Sequence, residues 1–399
     1  MSTSNFFEKK QNWSKIKDKV VSEYLTPYCA KLLATHKPLK IVDCFAGKGK
    51  FDDGEEGSPI MIAKVIHEIL KKQTSYSNKN IEACFIEQKY YTNLQENTKF
   101  FSNCRVISGN FEDNIASIIE NNKNKNSNLF LYIDPYGIKS LSFDIFHSLK
   151  EMKNLSTEIL MNFNSFGFLR EGFRLLQKSM PPELKSANYE DDSKNTVAKM
   201  NKIANGNYWQ QIVQDKNDNK ITMYEAEEKF IQEYKKQLQS VYEHIIDIPI
   251  KVKREHIPKY RLIFGTNHHE GLFLMVDNMV KRWNEFLNMS NEEGLFKEFN
   301  LPNYNMGDIN LENEILNFIP KGSQIKYLDL LKALINTYGI SFSIREYTQT
   351  LSKLSGEDDE SIGGLFANNQ VKIVRNFKTP TGKESKSWNW NEEIYIERI

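Results

Sequence analysis

The sequence predicts an α/β fold: an open, mainly parallel sheet flanked by helices, interrupted by a helical insertion and followed by a small helix-and-hairpin unit. Three observations carry this prediction. Short apolar runs alternate with stretches of helical periodicity through the first third of the chain. Several runs are apolar at consecutive rather than alternate positions, as in strands buried on both faces. Each run also ends on a polar residue or glycine, where an open α/β sheet presents its ligand crevice.

In chain order, Leu39–Ala46 (LKIVDCFA) reads as the first strand and breaks at glycines. Pro59–Lys71 is a helix whose cap and first turn are Ser58 and Pro59. Ile81–Glu87 is a second strand, Lys89–Phe101 a second helix and Arg105–Ser108 a short third strand. Leu129–Asp134 (LFLYID) and Glu158–Asn164 (EILMNFN) are fully buried strands. Residues 178–243 are polar and mostly helical; in Glu225–Val241, Ala226, Phe230, Tyr234 and Leu238 form one apolar stripe. Ile245–Lys253 and Lys259–Asn267 suit a β-hairpin, and Gly271–Phe286 a closing helix. These elements make residues 1–290 one α/β domain with its insertion, and residues 291–310 a linker. Residues 311–399 read as helices (Leu311–Phe318, Ile325–Tyr338, Ile344–Leu354) followed by strands Val371–Phe377 and Ser387–Asn391 around the turn Thr379-Pro380-Thr381-Gly382. That order is winged-helix-like.

Composition narrows the function. Lys+Arg 53 against Asp+Glu 52 excludes a globally cationic coat protein, and 40% apolar residues exclude wholesale disorder. There is no apolar run of about 18 residues, and the N-terminus is charged, which speaks against a membrane span or secretory signal. Cys29, Cys44, Cys84 and Cys104 form no C-x-x-C pair, as expected of reduced thiols in a cytoplasmic protein.

The chemistry concentrates in Ile41–Ile60, IVDCFAGKGKFDDGEEGSPI. Here a buried strand meets a Gly-x-Gly turn (Gly47, Gly49), whose missing Cβ atoms let backbone amides approach a ligand. The spacing is not that of a Walker A loop. Glu87 ends the second strand, where an acid can grip ribose hydroxyls. Gly109-Asn110 ends the third, where an amide could pair with an adenine edge, and Asp134-Pro135-Tyr136-Gly137 ends the fourth. Four such positions converging on one crevice predict a nucleoside-type cofactor.

These blocks, DCFAGKGKFDDGEEGSP, FIEQ, YIDPYG and YRLIFGTNHHEGLFLM, resemble the three-Cys-motif partner proteins of bacteria, the TcmP family, over residues 10 to 290. That family resembles class I S-adenosylmethionine-dependent methyltransferases, and the combination of an AG-x-G block, a GSP and a D-P-aromatic motif is similar to adenine methyltransferases of large-subunit ribosomal RNA. The resemblance implies a Rossmann-like seven-stranded sheet, with the 245–267 hairpin supplying its reversed last strand. It also implies S-adenosyl-L-methionine as cofactor. Asp43, Ala46, Gly47 and Gly49 would line its methionine portion, with Ser58 close by, Glu87 on the ribose and Asn110 on the adenine. Asp134, Pro135 and Tyr136 would form the catalytic block, facing the methyl group and a flipped base. Two departures stand out. The ribosomal RNA enzymes carry D-P-P-Y where this chain has D-P-Y-G, and Asn110 replaces the usual acid.

The first functional expectation is therefore a methyltransferase acting on nucleic acid, on a base, helped by the C-terminal unit. A second, motivated by the two departures, is a non-catalytic scaffold that docks a three-Cys-motif protein. A nucleotide-dependent hydrolase or nuclease is a third, disfavoured because carboxylates with metal spacing are missing. Lys251–Arg261 and Lys372–Lys386 each hold five basic residues against one acid, and the second, with Phe377 and Trp388 nearby, is a candidate wing touching phosphates. His268 and His269 lack metal-ligand spacing but could border the crevice. No G-x-S-x-G elbow is present, since Asn164-Ser165-Phe166-Gly167 lacks the first glycine.

Overall fold

A computed structural model describes residues 12–72, 80–123, 126–138, 141–153, 155–185, 195–251, 256–292, 309–356, 370–375, 388 and 393–399. The chain divides into two compact units. The first comprises Met1–Asn278 with Arg282–Gly294, and the second Leu295–Ile399 with Met279–Lys281.

The first unit is a class I methyltransferase-like α/β fold. Its strands are β1 (Leu39–Asp43), β2 (Ile81–Glu87), β3 (Cys104–Ser108), β4 (Asn128–Ile133), β5 (Ser156–Phe163), β6 (His244–Ile250) and β7 (Tyr260–Thr266). They form one sheet in the order β3-β2-β1-β4-β5-β7-β6. The first five strands are parallel, while β7 runs antiparallel to both β5 and β6. The direction of winding reverses between β1 and β4, so the crevice opens beyond their carboxyl ends. Strands β4 and β5 are buried along their whole lengths, as their continuous apolar runs require.

Helices α1 (Asn12–Leu33), α2 (Ser58–Lys72), α3 (Tyr91–Thr98), α4 (Phe111–Asn122), α5 (Asp144–Lys150) and α6 (Ser165–Leu175) flank the sheet. The segment expected as an insertion supplies α7 (Val197–Ala204), α8 (Tyr208–Asn217) and α9 (Met223–Leu238). These are not a separate appendage: Met200, Trp209, Phe230 and Tyr234 share a core with Phe163 and Phe168. Burying each such side chain contributes about 1.5–3 kcal/mol. A capping box of Thr222 and Glu225 starts α9, and its stripe of Ala226, Phe230, Tyr234 and Leu238 is buried as the periodicity predicts. Helix α10 (His269–Glu292) follows β7.

The second unit contains α11 (Leu311–Asn317), β8 (Gln324–Lys326), α12 (Tyr327–Tyr338), α13 (Ile344–Ser355), β9 (Val371–Arg375) and β10 (Ile394–Arg398). Its antiparallel sheet has the order β8-β10-β9. One expectation changes here, and one further strand is added. The stretch from Ile325 opens on a short strand, because Gln324–Lys326 pairs with β10 before the helix begins. A further strand follows at Ile394–Arg398, where Ile394 and Ile396 are buried. Of the expected strand Ser387–Asn391 only Trp388 is among the described residues, and the turn at 379–382 lies outside them.

Candidate active site

Strand β1 delivers Asp43 to the crevice, between Phe85 of β2 and Tyr132 of β4 in the sheet register. Its side chain is fully buried and accepts two hydrogen bonds, from the Phe45 amide at 3.2 Å and the Ser58 hydroxyl at 2.6 Å. Burial pushes its pKa up to about 7; those two bonds oppose the shift, and the charges of Asp134 and Glu87 add to it. The Ser58 bond explains the GSP block: the hydroxyl that starts α2 also satisfies the acid ending β1.

Between them the chain makes its glycine turn. Gly47 and Gly49 adopt φ of 64° and 80°, left-handed values that favour glycine. A Cβ on Gly49 would stand 3.0 Å from Leu94 Cδ1. The Gly57 amide donates to the Gly49 carbonyl at 2.8 Å, folding the GSP segment back onto the turn. Ala46 is buried, its amide bonded to the Ile86 carbonyl at 3.1 Å, which ties the turn to β2.

Glu87, ending β2, closes this loop from the other side. Its Oε2 accepts the Gly47 amide at 2.8 Å, while Oε1 accepts the Lys89 and Tyr90 amides at 2.7 and 2.9 Å. The Gly109 amide in turn bonds the Glu87 carbonyl at 3.3 Å and brings the end of β3 alongside. Asn110 takes a more local part than the sequence suggests. Its side chain caps α4, accepting the Asp113 amide at 2.8 Å and donating to Asp113 Oδ2 at 2.7 Å. The amide assigned to an adenine edge is thus spent on the helix.

Asp134 follows β4 with both carboxylate oxygens engaged. Oδ2 accepts Lys17 Nζ at 2.6 Å and the Tyr132 hydroxyl at 3.2 Å, and Oδ1 accepts Asn162 Nδ2 at 2.7 Å. Pro135 is buried, whereas Tyr136 is 61% exposed and presents its ring at the surface. Gly137 follows at φ 88° with open space around it. The structure therefore bonds Asp43 to Ser58, Gly47 to Glu87 and Gly49 to Gly57 around one turn. Asp134 lies near enough to repel Asp43, and the Asn110 side chain faces its own helix.

Lys17 and Asn162, which hold the candidate residue Asp134, are absent from the sequence reading. Lys17 is 117 residues from Asp134, and no local pattern marks such a pairing.

Other expectations are corrected. His268 follows β7 at the amino-terminal edge of the sheet, its Nε2 3.1 Å from the Leu155 carbonyl, and does not border the crevice. The two ends of the basic run Lys251–Arg261 are buried, and residues 252–255 between them lie outside the described residues. Lys251 lies over the Tyr224 ring at 5.0 Å, and Arg261 is held by Glu227, Asp247 and Glu228. Of Lys372–Lys386, only residues 372–375 are described, with Arg375 over the Trp388 ring at 5.1 Å. The described cysteines are free thiols. Among the described residues there is no group of acidic, His or Cys side chains able to hold a metal ion, and no helix long and apolar enough to cross a membrane.

No family model matches the sequence, and no curated protein does. Several solved structures resemble the chain. One is the Escherichia coli protein yhhF, assigned as a methyltransferase, at 20% identity over 36% of this chain and 68% of its own, with a TM-score of 0.23. Another is a spermidine synthase in complex with the transition state analogue AdoDATO, at 7% identity over 73% and 72% of the two chains, with a TM-score of 0.32. A third is loganic acid methyltransferase with SAH, at 10% identity over 73% and 88%, with a TM-score of 0.24. Likenesses this distant support no argument by themselves, and the fold assignment rests on the strand order.

Proposed function

We propose that the first unit is an S-adenosylmethionine-dependent methyltransferase acting on nucleic acid, with the cofactor held between Asp43, the Gly47–Gly49 turn and Glu87. The observation that supports this most is the acidic cluster wrapped around a glycine turn. Asp43 is fully buried, feels the charges of Asp134 and Glu87, and has its pKa raised to about 7. A ligand carrying an ammonium and a sulfonium relieves that repulsion. Glu87 fits the ribose position, since a carboxylate offers about four lone-pair sites and three are taken by backbone amides. The turn fits a ligand approached through its backbone, because a Cβ at Gly49 would press on Leu94.

When bound, the cofactor supplies an electrophilic methyl group, so the chain's own residues mainly align the acceptor and manage one proton. Asp134, fixed by Lys17, Tyr132 and Asn162, orients the acceptor. The exposed ring of Tyr136 gives a target base a surface to stack on once it leaves its neighbours. Among its described residues the second unit has three helices and a three-stranded antiparallel sheet, which supports a winged-helix-like reading and a role in holding the strand.

A second reading is a non-catalytic scaffold for a three-Cys-motif protein. It is favoured by the capping role of Asn110, which turns its side-chain amide onto Asp113 of its own helix. Calorimetric titration with S-adenosylhomocysteine separates the two. Micromolar binding that disappears in Gly47→Arg supports the enzyme; no binding to the wild-type protein supports the scaffold.

A further inference from the structure

The crevice holds a second group of side chains beyond the cofactor cluster. Strand β7 runs antiparallel beside β5, with Arg261 opposite Phe163, so its first residue Tyr260 stands at the carboxyl end of the sheet. Two ammonium groups converge on that ring: Lys17 Nζ is 5.6 Å from its centroid and Lys259 Nζ 5.5 Å. Lys17 also grips Asp134 at 2.6 Å, and its side chain is only 7% exposed. Burial, reinforced by the charge of Lys17, holds the Lys259 pKa below the ordinary lysine range.

We propose that Lys17, Asp134 and Lys259 form the acceptor site, and that the acceptor is a hydroxyl oxygen, the ribose 2′-hydroxyl of an RNA strand. This rests on the methyltransferase reading above and specifies its substrate. An exocyclic base amine presents N–H donors and needs acceptors around it. Here three of the roughly four lone-pair sites of the Asp134 carboxylate are already taken, one of them by Lys17, which leaves one acceptor site for the two N–H groups of an amine. A hydroxyl oxygen has the opposite need. It accepts a hydrogen bond from a cation, and it must lose its proton to become a good nucleophile. Lys17, held against Asp134, stabilises the developing negative oxygen, and Lys259, whose pKa burial lowers, takes the proton. The hydroxyl oxygen then bonds the methyl carbon of the sulfonium donor as the carbon–sulfur bond breaks, its electron pair going to sulfur. A base stacked on Tyr136 is compatible with this, because its own ribose is carried beside it.

The 2′-hydroxyl distinguishes RNA from DNA, so binding reads the proposal without the cofactor. Fluorescence anisotropy of the full chain with a mixed-sequence single-stranded RNA 12-mer and its DNA counterpart is expected to show RNA bound about tenfold more tightly, the value of one charge-assisted hydrogen bond. Lys17→Met should erase that preference, and so should Lys259→Met, which leaves the Lys17–Asp134 pair in place should the first variant fold poorly. A merely structural Lys17 would leave the RNA-to-DNA ratio unchanged in folded protein, which overturns the proposal. The product gives the second reading: with a tritiated methyl donor and total cellular RNA, label should survive alkaline hydrolysis in dinucleotides. Label in mononucleotides, in DNA or in protein, or none at all, overturns it. Binding of S-adenosylhomocysteine in the same preparation shows whether the methyltransferase reading survives such a failure.

Discussion

Helix α1 meets a buried or half-buried carboxylate at each end of the sheet, and the two encounters differ in kind. Tyr24 donates to Glu158 at 2.5 Å, and Thr266 donates to the same carboxylate at 2.8 Å. Both donors are neutral hydroxyls, the site is sealed in the core, and burial raises the Glu158 pKa. Two turns earlier, about 10 Å along the helix axis, Lys17 holds Asp134 with a full charge, and the Asp134 side chain keeps a quarter of its surface. The first contact locks the helix onto the sheet. The second stands beside a glycine turn and two other acids, where exchange of partners with a ligand is possible. Burying a carboxylate is therefore not by itself a mark of function; its donors and its access decide.

Substitutions test that contrast most strongly at Asp134. Asp134→Ala should lower methyl transfer by about 10²- to 10⁴-fold while leaving S-adenosylhomocysteine affinity unchanged in calorimetry. Unaltered turnover would place Asp134 with Glu158 as a purely structural acid.

The pH dependence of stability comes next. Asp43 has a folded pKa of about 7, above the unfolded value of about 3.9, so the folded state binds the extra proton between them. Its contribution is fully present below about pH 4 and fades as the pH rises to about 7, by up to a few kcal/mol. Because Glu158 is shifted in the same direction, the difference between wild type and Asp43→Asn is the informative quantity. Urea unfolding from pH 4 to 8 should show a flatter profile in Asp43→Asn, and parallel curves would refute the assignment.

A smaller effect is expected at the sealed end. A Cβ on Gly271 would lie 2.4 Å from Glu158 Oε1. Gly271→Ala should cost about 1–3 kcal/mol by denaturation, with transfer per folded molecule unchanged. An activity loss exceeding the stability loss would mean that the two ends of α1 are coupled. Smallest is Ser58→Ala, which removes a bond that holds the Asp43 pKa down. It should move the end of the pH decline upward; no movement would detach Ser58 from the site.

Most of the sheet is legible in the sequence because buried parallel strands announce themselves. Ile81–Glu87 matches β2 at both ends, and the 245–267 hairpin appears as the antiparallel β6–β7 pair. The strand-end residues are legible for the same reason: a strand that stops being apolar shows where the crevice begins. Helix α1 is less visible, since its buried face uses Lys17, Tyr24 and Tyr28 and the helix contains Pro27. The pairs Lys17–Asp134 and Tyr24–Glu158 span 117 and 134 residues and are set only by tertiary packing. Strand β8 has three residues, too few to show alternation. Asn110 illustrates a competing role: the position suits an adenine, but an Asn before a helix also makes a cap.

The central claim is that Asp43, Gly47 and Glu87 bound a single cofactor site. A crystal structure of the full chain soaked with S-adenosylhomocysteine tests it most directly. The ligand is expected within hydrogen-bond reach of Glu87 and the Gly47–Gly49 backbone. Density for it elsewhere on the molecule, or none at saturating concentration, would contradict the assignment.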